Sequence, residues 1–276
     1  MHFYIDRLRS TSEKAGSILC FGMDPVLDRM RIDPSKNLAD EIVRYFTAII
    51  HAIAPKISAV KPNIAYYLQY GQEGLRALLS LVSHIKPLGL PVIIDAKVGD
   101  IDRSSAAYAR FIFETLEGDA VTLNPYMGYD ALEPFLRYEG KGCYVLVLTS
   151  NPGASDFQLK RLESGEKFYE RILSMVCDWS RSCSAVGAVL GATQEDFRGC
   201  VTMIKGLGCS FPLLIPGVGA QGASYRAILE VLDELGYDRS MVRINVSSAI
   251  SYAHEKYPSL KPDEAALRAV TEITGS

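Results

Sequence analysis

The sequence has no pair of cysteines two residues apart and no cysteine at zinc-site spacing from a histidine, so no metal site can be read from it. The six cysteines (Cys20, Cys143, Cys177, Cys183, Cys200 and Cys209) are expected to be reduced thiols, with Cys20 and Cys143 acting as small hydrophobes in apolar runs. Histidine is scarce: His2, His51, His84 and His254 are scattered, and all but His2 fall in helix-like stretches where solvated or capping roles are expected. No apolar run approaches the ~20 residues of a membrane span. The opening MHFYIDRLRSTSEK lacks the charged-then-apolar layout of a secretory signal, which points to a cytoplasmic protein. Positive charge is not in excess either. Lys and Arg total 29 against 32 Asp and Glu, a net −3, which gives no support for a nucleic-acid binder.

What the chain does have is an unbroken alternation of short apolar runs and helical periodicity. An amphipathic helix is expected from about Phe3 to Lys14. Strands are expected at Ser17–Met23, Ile57–Val60, Pro91–Ile94, Ala120–Leu123, Cys143–Leu148, Val186–Leu190, Pro212–Ile215 and Val242–Val246. Between them run helices, among them Leu38–Ala54 with Asn37 as N-cap, Gln69–Lys86, and Ser104–Leu116 with Ser104 as N-cap. Eight strand–helix repeats over 276 residues, without a linker or a shift in composition, indicate a single-domain α/β protein, a (β/α)₈ barrel spanning 1–276. A doubly wound open sheet is the alternative, but nothing marks a reversal of strand order.

Barrels of this kind place their chemistry at the carboxyl ends of the strands. Here those ends carry Asp24, Lys61, Asp95 with Lys97, Asn124, Thr149 to Asn151, Gly191 to Thr193, Pro216 to Gly222, and Asn245 to Ser248. Charges gather after the first three strands, while later strands end in small polar or glycine-rich turns. Strand alternation puts Asp95 and Lys97 on one side of PVIIDAKVGDIDR. An isolated DxK is most simply a structural ion pair, but with Lys61 on the neighbouring strand it becomes a preset charge array. The PGVGAQG turn before a helix near Ser224 suits a phosphate, since glycines let backbone N–H groups approach an anion.

DAKVGDI on strand three resembles the DxKxxD signature of the orotidine 5′-monophosphate decarboxylase family. CFGMDP, VKPNIAYY, TLNPYMG, TSNPGASDFQ and IPGVGAQG match that family in order along the chain, in the manner of its longer bacterial-type subfamily. The resemblance implies conversion of orotidine 5′-monophosphate to UMP and carbon dioxide, in pyrimidine biosynthesis, without cofactor or metal. It implies that Lys97 protonates the ring carbon, that Asp95 faces the leaving carboxylate, and that Lys61 holds the charge network. Asp24 would bind a ribose hydroxyl and Ser150 the pyrimidine. Pro216, Gly217, Gly219, Gln221 and Gly222 would form the phosphate loop. The family's second aspartate crosses a homodimer interface, so Asp100, with Ile101 and Ser104, is expected to serve the partner's site.

One position departs from the pattern. In INVSSAISYA, Ser248 stands where the family carries an arginine that forks onto phosphate. Weaker phosphate binding is expected, or rescue by another cation such as Lys160 or Arg161. Arg243 lies at the wrong end of its strand to help. Two alternatives stay open: a metal-dependent sugar-phosphate lyase on the same scaffold, which would carry a glutamate where this chain has Lys61, and a weakened nucleotide-binding homologue.

Overall fold

The structure, a computed structural model, describes residues 3–183, 185–191, 194–218 and 224–275. After an opening helix α1 (Tyr4–Ala15), the chain alternates as expected: β1 (Leu19–Met23), α2 (Leu38–Ile53), β2 (Ala59–Pro62), α3 (Ile64–Leu68), α4 (Gly71–Ile85), β3 (Ile93–Val98) and α5 (Asp102–Arg110). It continues through β4 (Ala120–Leu123), α6 (Tyr129–Leu136), β5 (Gly142–Leu148), α7 (Phe168–Ser182), β6 (Val186–Leu190) and α8 (Gln194–Gly206). β7 (Leu213–Ile215), α9 (Tyr225–Glu234), β8 (Val242–Val246), α10 (Ser248–Ser251) and α11 (Pro262–Thr274) complete it. All strand pairs are parallel, in the order β2-β1-β8-β7-β6-β5-β4-β3. Single bridges at Val60–Val92 and Asn63–Asp95 bring β2 to β3 and close the ring. The barrel, not the open sheet, is the architecture.

The amino end of the barrel is plugged. Tyr4 and Leu8 of α1 are fully buried and pack with Cys20, Ala59, Ile93 and Ala120, whose modest size leaves room for the Tyr4 and Tyr144 rings. The two phenols share a hydrogen bond of 3.0 Å. Arg243, fully buried, donates to the Leu8 carbonyl at 2.5 Å and to Thr11 Oγ1 at 3.0 Å, so its charge is spent fastening α1 to this end. It is indeed far from the chemistry. With this end of the barrel interior filled, its interior is approached from the carboxyl end.

Several local expectations are corrected. Ser104 is not an N-cap: the turn after β3 leaves Ile101 extended, and α5 starts two residues before Ser104 with no side-chain cap. Its continuation through Phe111–Thr115 is a π-helix. The helix expected from Gln69 to Lys86 is α4, which opens at Gly71 with φ +58° and runs to Ile85; the short helix α3 over Ile64–Leu68, which was not expected, precedes it. Asn37 does cap α2, accepting from the Asp40 amide at 3.1 Å. Cys177 and Cys209 form a disulfide, with Cα atoms 5.9 Å apart, which overturns the expectation of six reduced thiols. α7 and the turn before β7 pack side by side, a proximity that a separation of 32 residues does not announce. His254 is buried beside Tyr45 and Tyr252 instead of solvated.

Candidate active site

Three strands contribute the centre of the site. Lys61 on β2 is 4% exposed, and its ammonium donates to Asp95 Oδ2 at 2.7 Å. Lys97, half-exposed, donates to Asp95 Oδ1 at 2.5 Å. Thr122 on β4 donates to the same Oδ1 at 2.9 Å while its oxygen accepts the Lys97 backbone N–H, also at 2.9 Å. The Asp95 carboxylate therefore receives three donors.

A local irregularity brings these groups together. In the pairing of β3 with β4, Ile94 faces Val121 and Val98 faces Leu123, so three residues of β3 stand opposite Thr122 alone. Lys97 takes φ +48°, the left-handed region that side chains other than glycine seldom occupy. Outside a bulge, residues two apart on a strand lie roughly 7 Å from each other, too far for an aspartate and a lysine to be held this closely by backbone alone.

The electrostatics follow from burial and charge. Burial alone would raise the Asp95 carboxyl, but Lys61 and Lys97, through charge and hydrogen bonds, pull it well below the usual carboxylate range. Burial of Lys61 opposes its charge, yet Asp95 and Asp24 hold it above the ordinary lysine value. The array is lysine–carboxylate–lysine, a fixed pattern of charge facing the open barrel end.

Asp24, just after β1, accepts the Asn63 amide on Oδ1 at 3.2 Å, and its carbonyl accepts the Tyr252 hydroxyl at 2.6 Å. The first strand end is thereby tied to the second strand and to the turn after α10. Gly22 lies directly under Ser247: a Cβ there would stand 1.8 Å from Ser247 Oγ. Gly22→Ala should push the Ser247–Ser248 turn outward, costing roughly 1–3 kcal/mol in urea unfolding and raising the KM for substrate. An unchanged unfolding midpoint and KM would show that the turn yields freely.

The remaining candidates fall into two groups. Ser150 follows β5 and abuts Gly191 at the end of β6, while Gln158 stitches the fifth loop to Thr149, accepting its N–H at 2.7 Å. Pro216, Gly217 and Ser248 sit at the ends of β7 and β8, with Gly217 at φ +93°. Gly219, Gln221 and Gly222 lie outside the described residues, as do Ala192 and Thr193. Arg161 donates to the Gly165 carbonyl within its own loop, so that guanidinium has a local role.

Asp100, Ile101 and Ser104 are not drawn into the array of their own chain. The Asp100 carboxylate accepts the Ile101 amide at 2.8 Å, and Ile101 and Ser104 line a groove of about 930 Å³ between α5 and α6. Ile101, Tyr108, Tyr126, Met127 and Tyr129 are exposed, Tyr126 by 77%. The sequence reading missed Thr122, because threonine in AVTL is simply a good strand former and gives no sign of a polar task.

A family model described as "Orotidine 5′-phosphate decarboxylase / HUMPS family" matches residues 17–261. The chain is 40% identical over 269 residues to the orotidine 5′-phosphate decarboxylase of Thermomicrobium roseum, covering 97% of this chain and 93% of that one. It is also 40% identical to the namesake protein of Aromatoleum aromaticum, over 92% and 91% of the two chains. Among solved structures, the OMP decarboxylase of Leishmania donovani superposes with a TM-score of 0.78 at 30% identity, over 99% of this chain and 98% of that one. A putative orotidine-monophosphate-decarboxylase from Toxoplasma gondii gives 0.81 at 28% identity, over 98% of each chain.

Proposed function

The chain belongs to the orotidine 5′-phosphate decarboxylase / HUMPS family and is a carboxy-lyase that converts orotidine 5′-monophosphate to UMP; from that premise we propose how its residues share the work. The observation that carries the reading is the lysine–carboxylate–lysine array at the open end of the barrel. The bond between the ring and its carboxylate breaks, carbon dioxide leaves, and the electron pair remains on the ring carbon. Lys97 stabilises that carbanion as it forms and then gives it a proton, which becomes the new C–H bond. Being half-exposed, Lys97 regains its proton from solvent. Asp95 faces the departing carboxylate, and Lys61 keeps Asp95 ionised and fixed.

Asp24 would hold the ribose, Ser150 the pyrimidine, and the turns after β7 and β8, with Pro216, Gly217, Gly219, Gln221, Gly222 and Ser248, the phosphate. Phosphate binding far from the reacting carbon can supply energy used at the ring. We also propose a cytoplasmic homodimer in which Asp100, Ile101 and Ser104 complete the partner's site; the exposed Ile101 side chain and the groove it lines with Ser104 support it. Among the described residues no helix is long and apolar enough to cross a membrane.

The competing chemistry on this scaffold, metal-dependent lyase action on a sugar phosphate, needs a carboxylate where Lys61 presents an ammonium. Purified protein given orotidine 5′-monophosphate with a chelator present should form UMP at the full rate. Loss of UMP formation on chelation would favour the metal-dependent reading.

Ser248 leaves the phosphate end without its arginine. Restoring it with Ser248→Arg should lower the KM for substrate about tenfold or more, the worth of one charged hydrogen-bonded contact. An unchanged KM would mean that another group already neutralises the phosphate.

A further inference from the structure

We propose that Thr122 is a positioning residue of the decarboxylation, holding Asp95 and Lys97 in register through a single hydroxyl. The inference rests on the roles assigned above to those two residues. Thr122 is fully buried, and its hydroxyl has one partner on each side: it accepts the Lys97 N–H and donates to Asp95 Oδ1, each at 2.9 Å. It is the lone β4 residue opposite the three-residue bulge of β3, so the hydroxyl fills a gap where a regular ladder would supply a carbonyl.

Two consequences follow from that geometry. Lys97 sits in the left-handed region, a conformation that persists only where surrounding contacts fix it, and its backbone N–H is tied down by this hydroxyl. Asp95 Oδ1 is shared between the Lys97 ammonium and Thr122, whereas Oδ2 belongs to Lys61. When Lys97 turns to the ring carbon, Oδ1 loses one donor and keeps Thr122. The carboxylate is then still oriented by two neutral or fixed partners, and cannot follow the lysine. A valine in this place would leave the Lys97 N–H without an acceptor and free the carboxylate to rotate.

The test compares Thr122→Val with Thr122→Ser, both as full-length enzyme. Thr122→Ser keeps the hydroxyl and should retain kcat within about threefold. Thr122→Val keeps the shape and should lose kcat by roughly ten- to a hundredfold, with KM for orotidine 5′-monophosphate changed less than about threefold. Parental kcat in Thr122→Val overturns the proposal, as does equal loss in both variants, which would make the methyl group and its packing responsible. If Thr122→Val does not fold, Thr122→Cys, a weaker donor of similar size, must fall below Thr122→Ser; parity between them overturns the proposal. An inactive parent would refute the assigned reaction, whereas an active parent beside an equally active Thr122→Val refutes only the role of Thr122.

Discussion

Lys97→Ala is expected to lower kcat by at least about 10⁴-fold, since it removes both a positioned proton donor and the charge stabilising the carbanion. Each effect alone is typically worth a hundredfold or more, and among the described residues the other ammonium of the array, on Lys61, is 4% exposed and committed to Asp95 Oδ2. The fold should hardly notice. Lys97 is half-exposed, and Asp95 keeps Lys61 and Thr122 after its loss. A thermal midpoint within a few degrees of the parent, together with retained UMP binding, would place the defect in the chemical step. Equal turnover by parent and variant would remove Lys97 from the mechanism.

Asp95→Ala should damage stability as well as activity. It strips a buried ammonium of its counter-charge, and breaking a buried ion pair from one side costs about 3–5 kcal/mol. Urea unfolding should show a loss of that size, and adding Lys61→Met should recover much of it by removing the stranded charge. The pH dependence has a definite sign. The folded carboxyl lies below its ordinary value, so its stabilisation is present at every pH above the unfolded value of about 3.9. That contribution is lost as pH falls through the depressed folded value. The difference in stability between parent and Asp95→Ala should stay flat from about pH 8 to pH 5 and shrink only below about pH 4. A difference that already fades near pH 6 would mean that Asp95 is not held ionised as the geometry requires.

Much of this was legible in the sequence, for identifiable reasons. Apolar runs at the spacing of strand–helix repeats follow from the need to bury β-strands on both faces, and all eight strands lie where those runs stand, to within a few residues at their starts. The rule that barrel chemistry sits at carboxyl strand ends converted residue order into a site, and Lys61, Asp95 and Lys97 do meet there. Asn37 was readable as a cap because its side chain acts on a backbone group three residues away.

What stayed hidden depends on contacts between distant segments. The bulge in β3 has no sequence mark, because it is set by how that strand pairs with β4. Thr122 owes its importance to that pairing alone. Alternation correctly put Asp95 and Lys97 on one side, but the contact between them comes from the bulge and the left-handed turn at Lys97. The Cys177–Cys209 disulfide and the burial of His254 likewise arise from packing between elements far apart in the chain.

With Lys97 as proton donor, the reacting carbon of the nucleotide lies against Lys97 and its phosphate between the ends of β7 and β8. A crystal structure with UMP bound tests this most directly. It should show the ring carbon that carried the carboxylate about 3–3.5 Å from Lys97 Nζ, with the phosphate against the backbone at Gly217 and close to Ser248. A nucleotide bound with its ring out of reach of Lys97, or with its phosphate away from those two strand ends, would contradict these roles.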